Sequence, residues 1–165
     1  MLKVRNATLN DIENITEIYN EAILETVATF DTEIKNVKEQ RTWFEDHGPK
    51  NPILVAEEDD NVIGFASLSK YSTRCGYSDT AELSLYILKE HQGKGIGKKL
   101  MKSIMKEGEK VGLHAVISRI TDGNKKSIYL HKSEGFEHIG NMKEVGYKFG
   151  KRLDVCLMQK VYSKT

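Results

Sequence analysis

Cysteine and proline are scarce in this chain, with two of each among 165 residues. Cys75 and Cys156 are too few and too far apart in sequence for a disulfide framework or a thiolate metal site. Pro49 and Pro52 bracket one short loop, and no Pro- or Gly/Ser-rich linker divides the chain. A single domain, residues 1–165, is therefore expected. Charge of one sign is also missing: 25 Lys and Arg face 24 Asp and Glu, for a net +1. That balance provides no global field for nucleic acid or an acidic membrane surface. No apolar run approaches the ~20 residues of a spanning helix. Met1-Leu2-Lys3-Val4-Arg5 leads straight into polar residues rather than a signal-peptide core. These absences predict a cytoplasmic, reduced protein that holds no metal.

What is abundant is local. In the run Gln92-Gly93-Lys94-Gly95-Ile96-Gly97, three glycines alternate between a strand-like segment, Thr80 to Leu88, and a helix-like one, Lys98 to Lys110. Without Cβ atoms, backbone N–H groups can approach a ligand closely. The following helix start adds unpaired donors and the positive end of its dipole. Together they form an anion cradle suited to a phosphate or pyrophosphate. The spacing is not G-x-G-x-x-G, and no Gly-Lys-Ser/Thr ends the run, so neither a Rossmann nor a Walker loop is spelled out. A glycine-rich turn without a ligand is the plain alternative. Of the lysines clustered around the loop, Lys94 and Lys98 are the candidate phosphate contacts; the others read as a solvated helix face.

The remaining pattern predicts a mixed α/β chain. Leu2 to Asn6 reads as a strand. Thr8 or Asn10 can cap a helix with Ile12, Ile15, Ile18, Ala22 and Ile23 on one face. Asn36 can cap a second helix carrying Val37, Trp43 and Phe44. Ile53 to Glu57 and Val62 to Ser69 form a hairpin around Asp59-Asp60-Asn61. After the glycines, Ile96, Leu100, Ile104 and Gly108 keep helical spacing, widened by Met101 and Met105. Val116 to Ile120 reads as a buried strand and Asn124 to Glu134 as a helix stopped by Gly135. Phe136 to Val145 and Asp154 to Val161 complete a mostly antiparallel sheet with helices on both faces.

In order along the chain, these segments resemble the GNAT N-acetyltransferase superfamily. Gln92 to Gly97 matches its Q-x-x-G-x-G/A pyrophosphate loop, and Ala81 to Ile87 its central cofactor-binding strand. Asp122 to Ser127 followed by Leu130-His131-Lys132-Ser133-Glu134-Gly135-Phe136 is similar to its N-x-x-S…L-[HY]-x-x-x-G-F region. Val145-Gly146-Tyr147-Lys148-Phe149-Gly150 with Leu153-Asp154 resembles the phosphinothricin acetyltransferase branch. So do Ile18-Tyr19-Asn20 and Thr29-Phe30. The resemblance implies acetyl-CoA as co-substrate and a fourth and fifth strand that splay apart. It also implies pantetheine pairing with the backbone of Leu85, Tyr86 and Ile87. Asn124 and Ser127 would contact the pantetheine arm, and the branch suggests a homodimer.

Acetyl transfer from a thioester to an amine needs a proton acceptor, a polarised carbonyl and a proton for the thiolate. Glu82 is the candidate general base, because a carboxylate on a central strand costs free energy unless it is used or paired. The bland alternative turns it to solvent. His131 stands where many members of the superfamily carry a tyrosine that protonates the thiolate. Equally, it can be a packed helix-face histidine. Arg74 and Tyr77 precede the Glu82 strand, which brings them to the acceptor side, and Phe30 would wall the same pocket. Lys148 is a second possible anion ligand, in this chain's pocket or a partner's. The predicted reaction is acetylation of the α-amine of a small anionic amino acid of the phosphinothricin, methionine sulfoximine or methionine sulfone type. Acceptors such as a protein N-terminus, a lysine or a polyamine, and a non-catalytic acyl-CoA sensor, are the alternatives.

Overall fold

A computed structural model describes residues 1–163; the last two residues of the expected domain lie outside the described residues. Seven strands form one sheet: β1 (Leu2–Asn6), β2 (Ile53–Glu58), β3 (Asn61–Lys70), β4 (Thr80–Ile87), β5 (Ala115–Thr121), β6 (Glu137–Lys148) and β7 (Lys151–Val161). Their spatial order is β1-β2-β3-β4-β5-β7-β6, and only the β4–β5 pair is parallel. Four helices accompany them: α1 (Ile12–Glu25), α2 (Val37–Glu45), α3 (Ile96–Lys110) and α4 (Lys125–Ser133). The expected α/β architecture is therefore present.

Helical spacing explains the two cores. On one face of the sheet, α1 buries Ile15 and Ile18 against Val55, Val62 and Phe65, with Trp43 of α2 packed alongside. On the other, α3 buries Ile96, Leu100, Met101, Ile104 and Met105 against Leu54, Ile63, Leu68, Leu83 and Val116. At about 1.5–3 kcal/mol for each large apolar side chain taken from water, this second cluster dominates the stability of the fold. Gly108 lets α3 pack this closely: a Cβ there would lie 2.7 Å from Leu68 Cδ1 and 2.6 Å from Tyr162 Oη.

Several boundaries differ from the sequence-based reading for local reasons. The turn between β2 and β3 is two residues, Asp59 and Asp60, both at positive φ, so Asn61 already belongs to the strand. A 3₁₀ turn over Leu9–Asp11 runs into α1; Thr8 is its N-cap, donating its N–H to Asp11 Oδ2 at 2.8 Å, and Asp11 takes the N-cap position of α1 without a side-chain cap hydrogen bond. The helix after the glycines starts at Ile96 rather than Lys98. Strand β6 continues past Val145 to Lys148 because a bulge absorbs Glu144. That residue takes φ 54°, and its N–H donates to Asp154 Oδ1 at 2.8 Å.

The feature that positions a site is the fork between β4 and β5. Their pairing covers only Thr80↔Ala115, Ala81↔Val116 and Glu82↔Ile117. Beyond it, β4 stays with β3 up to Gly64↔Ile87, and β5 stays with β7 up to Thr121↔Val155. Leu83 to Ile87 thus present an unpaired backbone edge inside the sheet, as the splayed-strand expectation requires.

Candidate active site

A cleft of about 1050 Å³ opens at the fork, at the upper end of typical small-ligand sites. Along one wall run Leu85, Tyr86 and Ile87 of β4. In an antiparallel pair, alternate residues direct their N–H and C=O groups away from the partner strand, so this edge offers donors and acceptors to an extended amide chain.

Gly93, Gly95, Ile96, Gly97 and Lys98 close the end of this wall. Gly93 and Gly95 have φ of 79° and 80°, a region that L side chains avoid. As the N-cap of α3, Gly95 offers no side-chain oxygen, and no acidic residue stands in the first turn. The amides opening α3 are therefore free for an external anion, and the dipole favours one. Gly97 has a second duty, since a Cβ there would approach Ile87 Cδ1 to 3.2 Å. Gln92 folds back so that its Nε2 donates to Ile87 O at 3.1 Å, tying the loop to the strand end. Lys98 faces the cleft, whereas Lys94 is exposed at the loop tip.

At the apex, Glu82 shares the cleft with Ser84 and Tyr86. Arg119 of β5, a residue the sequence did not single out, grips it with both arms: Nε donates to Oε2 at 2.8 Å and a terminal nitrogen to Oε1 at 2.7 Å. The carboxylate's hydrogen bonds raise the pKa of the Arg119 guanidinium, against some desolvation. Because the Arg119 side chain is 53% exposed, such a pair adds at most about 1 kcal/mol to stability. Its main effect is orientation. The one signal available in sequence was a lone charge in the apolar run Val116 to Ile120.

His131 is buried between α4 and β5. Its Nδ1 lies 2.7 Å from Ser127 O, and a carbonyl can only accept, so Nδ1 carries the proton. Nε2 then accepts from Ser118 Oγ at 2.9 Å. Burial lowers the pKa of the imidazole, partly offset by the Ser127 carbonyl. The neutral ring therefore gives its N–H to the backbone, and Ser118, also missed in sequence, is the hydroxyl that it orients beside the cleft. Asn124 caps α4 by accepting from Ser127 N at 3.2 Å, and both residues line the same wall.

The candidate acceptor residues are distributed differently. Phe30 lines the cleft and packs against Gly146, where a Cβ would come within 2.2 Å of its ring. Lys148 is 3% exposed and gives two of its protons to Thr26 O at 2.7 Å and Thr29 O at 2.8 Å, anchoring the loop that carries Phe30. Arg74 and Tyr77 stand on the exposed loop before β4, with Tyr77 edge-on to Tyr71 at 5.2 Å between centroids. Neither lines the cleft. Among the described residues, no group of three or more His, Cys, Asp or Glu could hold a metal, and no helix is long and apolar enough to cross a membrane.

The model of the acetyltransferase (GNAT) domain matches residues 4–157. This chain belongs to the GNAT acetyltransferase family. It is 37% identical to the L-methionine sulfoximine/L-methionine sulfone acetyltransferase of Salmonella typhimurium, over 96% of this chain and 93% of that protein. With the phosphinothricin N-acetyltransferase of Streptomyces coelicolor it shares 32% identity, over 94% and 93%. Its fold is similar to that of the acetyltransferase yncA from Salmonella typhimurium, solved with its cofactor acetyl-CoA. The TM-score is 0.96 at 36% identity, covering 100% of this chain and 96% of that one. The fork, the uncapped α3 and the glycine loop are thus features of a GNAT N-acetyltransferase.

Proposed function

We infer that this GNAT chain transfers the acetyl group of acetyl-CoA to the α-amine of a small anionic amino acid, of the phosphinothricin or methionine sulfoximine and sulfone type. The observation that carries the reading is the continuity of one surface. The free amides at Gly95 to Lys98 suit a diphosphate, the unpaired edge of Leu85 to Ile87 suits the pantetheine amides, and both lead to Glu82 at the fork. Acetyl-CoA bound along that surface supplies an activated thioester.

The side chains then divide the work. Glu82, held in one orientation by Arg119, accepts the amine proton directly or through a water. Main-chain donors of β4 polarise the thioester carbonyl. His131 keeps the Ser118 hydroxyl fixed at the opposite wall, and a water returns a proton to the thiolate. Phe30 walls the acceptor pocket, whereas Arg74 and Tyr77 stand outside the cleft and reach the acceptor carboxylate only by an inward movement of their loop. Lys148 serves by holding the Phe30 loop in place. The enzyme acts in the cytoplasm as a homodimer, a reading supported by the exposed Val145, Tyr147 and Phe149 at the β6–β7 tip.

Initial-rate kinetics with acetyl-CoA and L-methionine sulfone test the scheme. Direct attack requires both substrates bound together, so double-reciprocal lines intersect. Parallel lines would reveal an acetyl-enzyme and overturn direct attack.

A further inference from the structure

A second cavity, of about 430 Å³, lies on the α1–α2 face of the sheet and shares the Ser84 and Tyr86 wall with the active-site cleft. Its sides are aromatic. Tyr19, Tyr86, Phe65 and Trp43 follow one another with centroids 5.2, 5.5 and 5.8 Å apart. Two deeply buried polar side chains reach it: Gln40, 6% exposed, and Ser67, 1% exposed. Both residues line the cavity, and their polar atoms are not sealed into the core without a partner, as His91 Nδ1 is among the described residues. An amide and a hydroxyl facing an aromatic cavity give it the few placed polar groups that orient a ligand.

The electrostatics narrow the ligand. Asp31, Glu39 and Asp46 line the cavity against the single ammonium of Lys35. Asp31 is held there by the Tyr19 hydroxyl, and burial together with that carboxylate raises the Tyr19 pKa, so the phenol keeps its proton. Burial likewise pushes the Tyr86 hydroxyl up to about 12, so it too stays neutral. An anionic side chain entering here would meet two more negative charges than positive ones, in surroundings of low dielectric. An uncharged side chain with a hydrogen-bonding tip meets the amide, the hydroxyl and aromatic walls.

We propose that this cavity is the side-chain subsite of the acceptor and that Gln40 and Ser67 select an uncharged, polar-tipped side chain over an anionic one. The proposal rests on the acetyl-transfer reading and sharpens it: an amine near Glu82 and Ser84 directs its side chain past Tyr86 into the cavity. Within the acceptor class, the sulfone or sulfoximine is then favoured over the phosphinate.

The test compares acetyl-CoA-dependent thiol release with L-methionine sulfone and with phosphinothricin, for wild type, Gln40→Leu, Ser67→Ala and Asp46→Asn. Binding of acetyl-CoA, measured in parallel by calorimetry, reports that each variant is folded. The expected wild-type kcat/KM is at least tenfold higher for the sulfone. Gln40→Leu and Ser67→Ala raise the sulfone KM several-fold with little change in acetyl-CoA affinity, and Asp46→Asn narrows the gap between the two acceptors. Equal or better use of phosphinothricin, or a sulfone KM indifferent to both Gln40→Leu and Ser67→Ala, overturns the subsite while leaving acetyl transfer intact. If neither acceptor stimulates thiol release from bound acetyl-CoA, the acetyl-transfer reading fails for this acceptor class, and the subsite with it.

Discussion

Arg119 reaches across the fork from β5 and holds both carboxylate oxygens of Glu82 on β4, at 2.7 and 2.8 Å. Glu82 is the last residue of β4 paired with β5, and Arg119 lies two residues beyond its partner Ile117. The ion pair thus fixes the carboxylate where the two strands part. On the proposed mechanism Glu82→Gln removes the proton acceptor, and turnover is expected to fall about 100-fold, a typical contribution of one acid–base group. Arg119→Ala leaves the acceptor in place but free to swing, for a roughly tenfold to hundredfold loss. The double variant should be no worse than Glu82→Gln alone. Steady-state kcat for the three proteins, with acetyl-CoA affinity as control, measures this coupling; strictly multiplicative losses would show that the residues act independently.

Gly95 holds φ 80° at the start of α3 with open space around its Cα. An added methyl meets no neighbour, so the cost of Gly95→Ala is conformational, about 1–2 kcal/mol. Relaxation of the loop turns the α3 amides away from an anion. Acetyl-CoA affinity should weaken about tenfold or more, while the acceptor KM changes little. Calorimetric titration checks the first part and initial rates the second.

Gly146→Ala acts at the acceptor wall. Its Cβ would lie 2.2 Å from the Phe30 ring, so the ring must move. Overpacking of this kind destabilises by about 1–3 kcal/mol. A lower urea midpoint is expected, together with a raised acceptor KM and an unchanged acetyl-CoA KM. Recovery of the acceptor KM in the double variant Phe30→Leu, Gly146→Ala would confirm the ring as the cause.

Buried His131 and half-buried His47 set a pH dependence. Desolvation lowers the pKa of His131, and also that of His47, below the ordinary value of 6.5. In the unfolded chain each takes up a proton near 6.5, while the folded protein resists it. Unfolded molecules therefore bind more protons below that pH, and stability is lost as pH falls from 6.5 toward the folded values, with no such loss above it. Urea midpoints at about pH 7.5 and about pH 5.5 should show the drop, and His131→Asn should make it shallower.

The cores were legible because helical and strand periods place Ile15, Ile18, Leu100 and Ile104 without reference to distant contacts. The glycine loop was legible for the same local reason. Residues acting through distant partners were not. Glu82 finds Arg119 37 positions away, and Lys148 finds Thr29 119 positions away. Lys148 therefore read as a possible anion ligand, whereas its ammonium is buried and donates to the Thr26 and Thr29 carbonyls. His131 was recognised by position, but its tautomer depends on the Ser127 carbonyl and the Ser118 hydroxyl, which only the docking of α4 on β5 brings together. The length of β6 was underestimated because Glu144 and Gly146 look like a strand end, and the bulge that carries the strand past them depends on Asp154.

The most direct test is to incubate the protein with acetyl-CoA labelled in its acetyl carbons and L-methionine sulfone, then identify the products by mass spectrometry and NMR. The label should appear as an amide on the acceptor's α-nitrogen, with one free coenzyme A thiol for each amide formed and none when Glu82→Gln replaces wild type on the same timescale. Label that stays on coenzyme A although the protein is saturated with it, or that appears on the protein and never on the amine, would contradict the account.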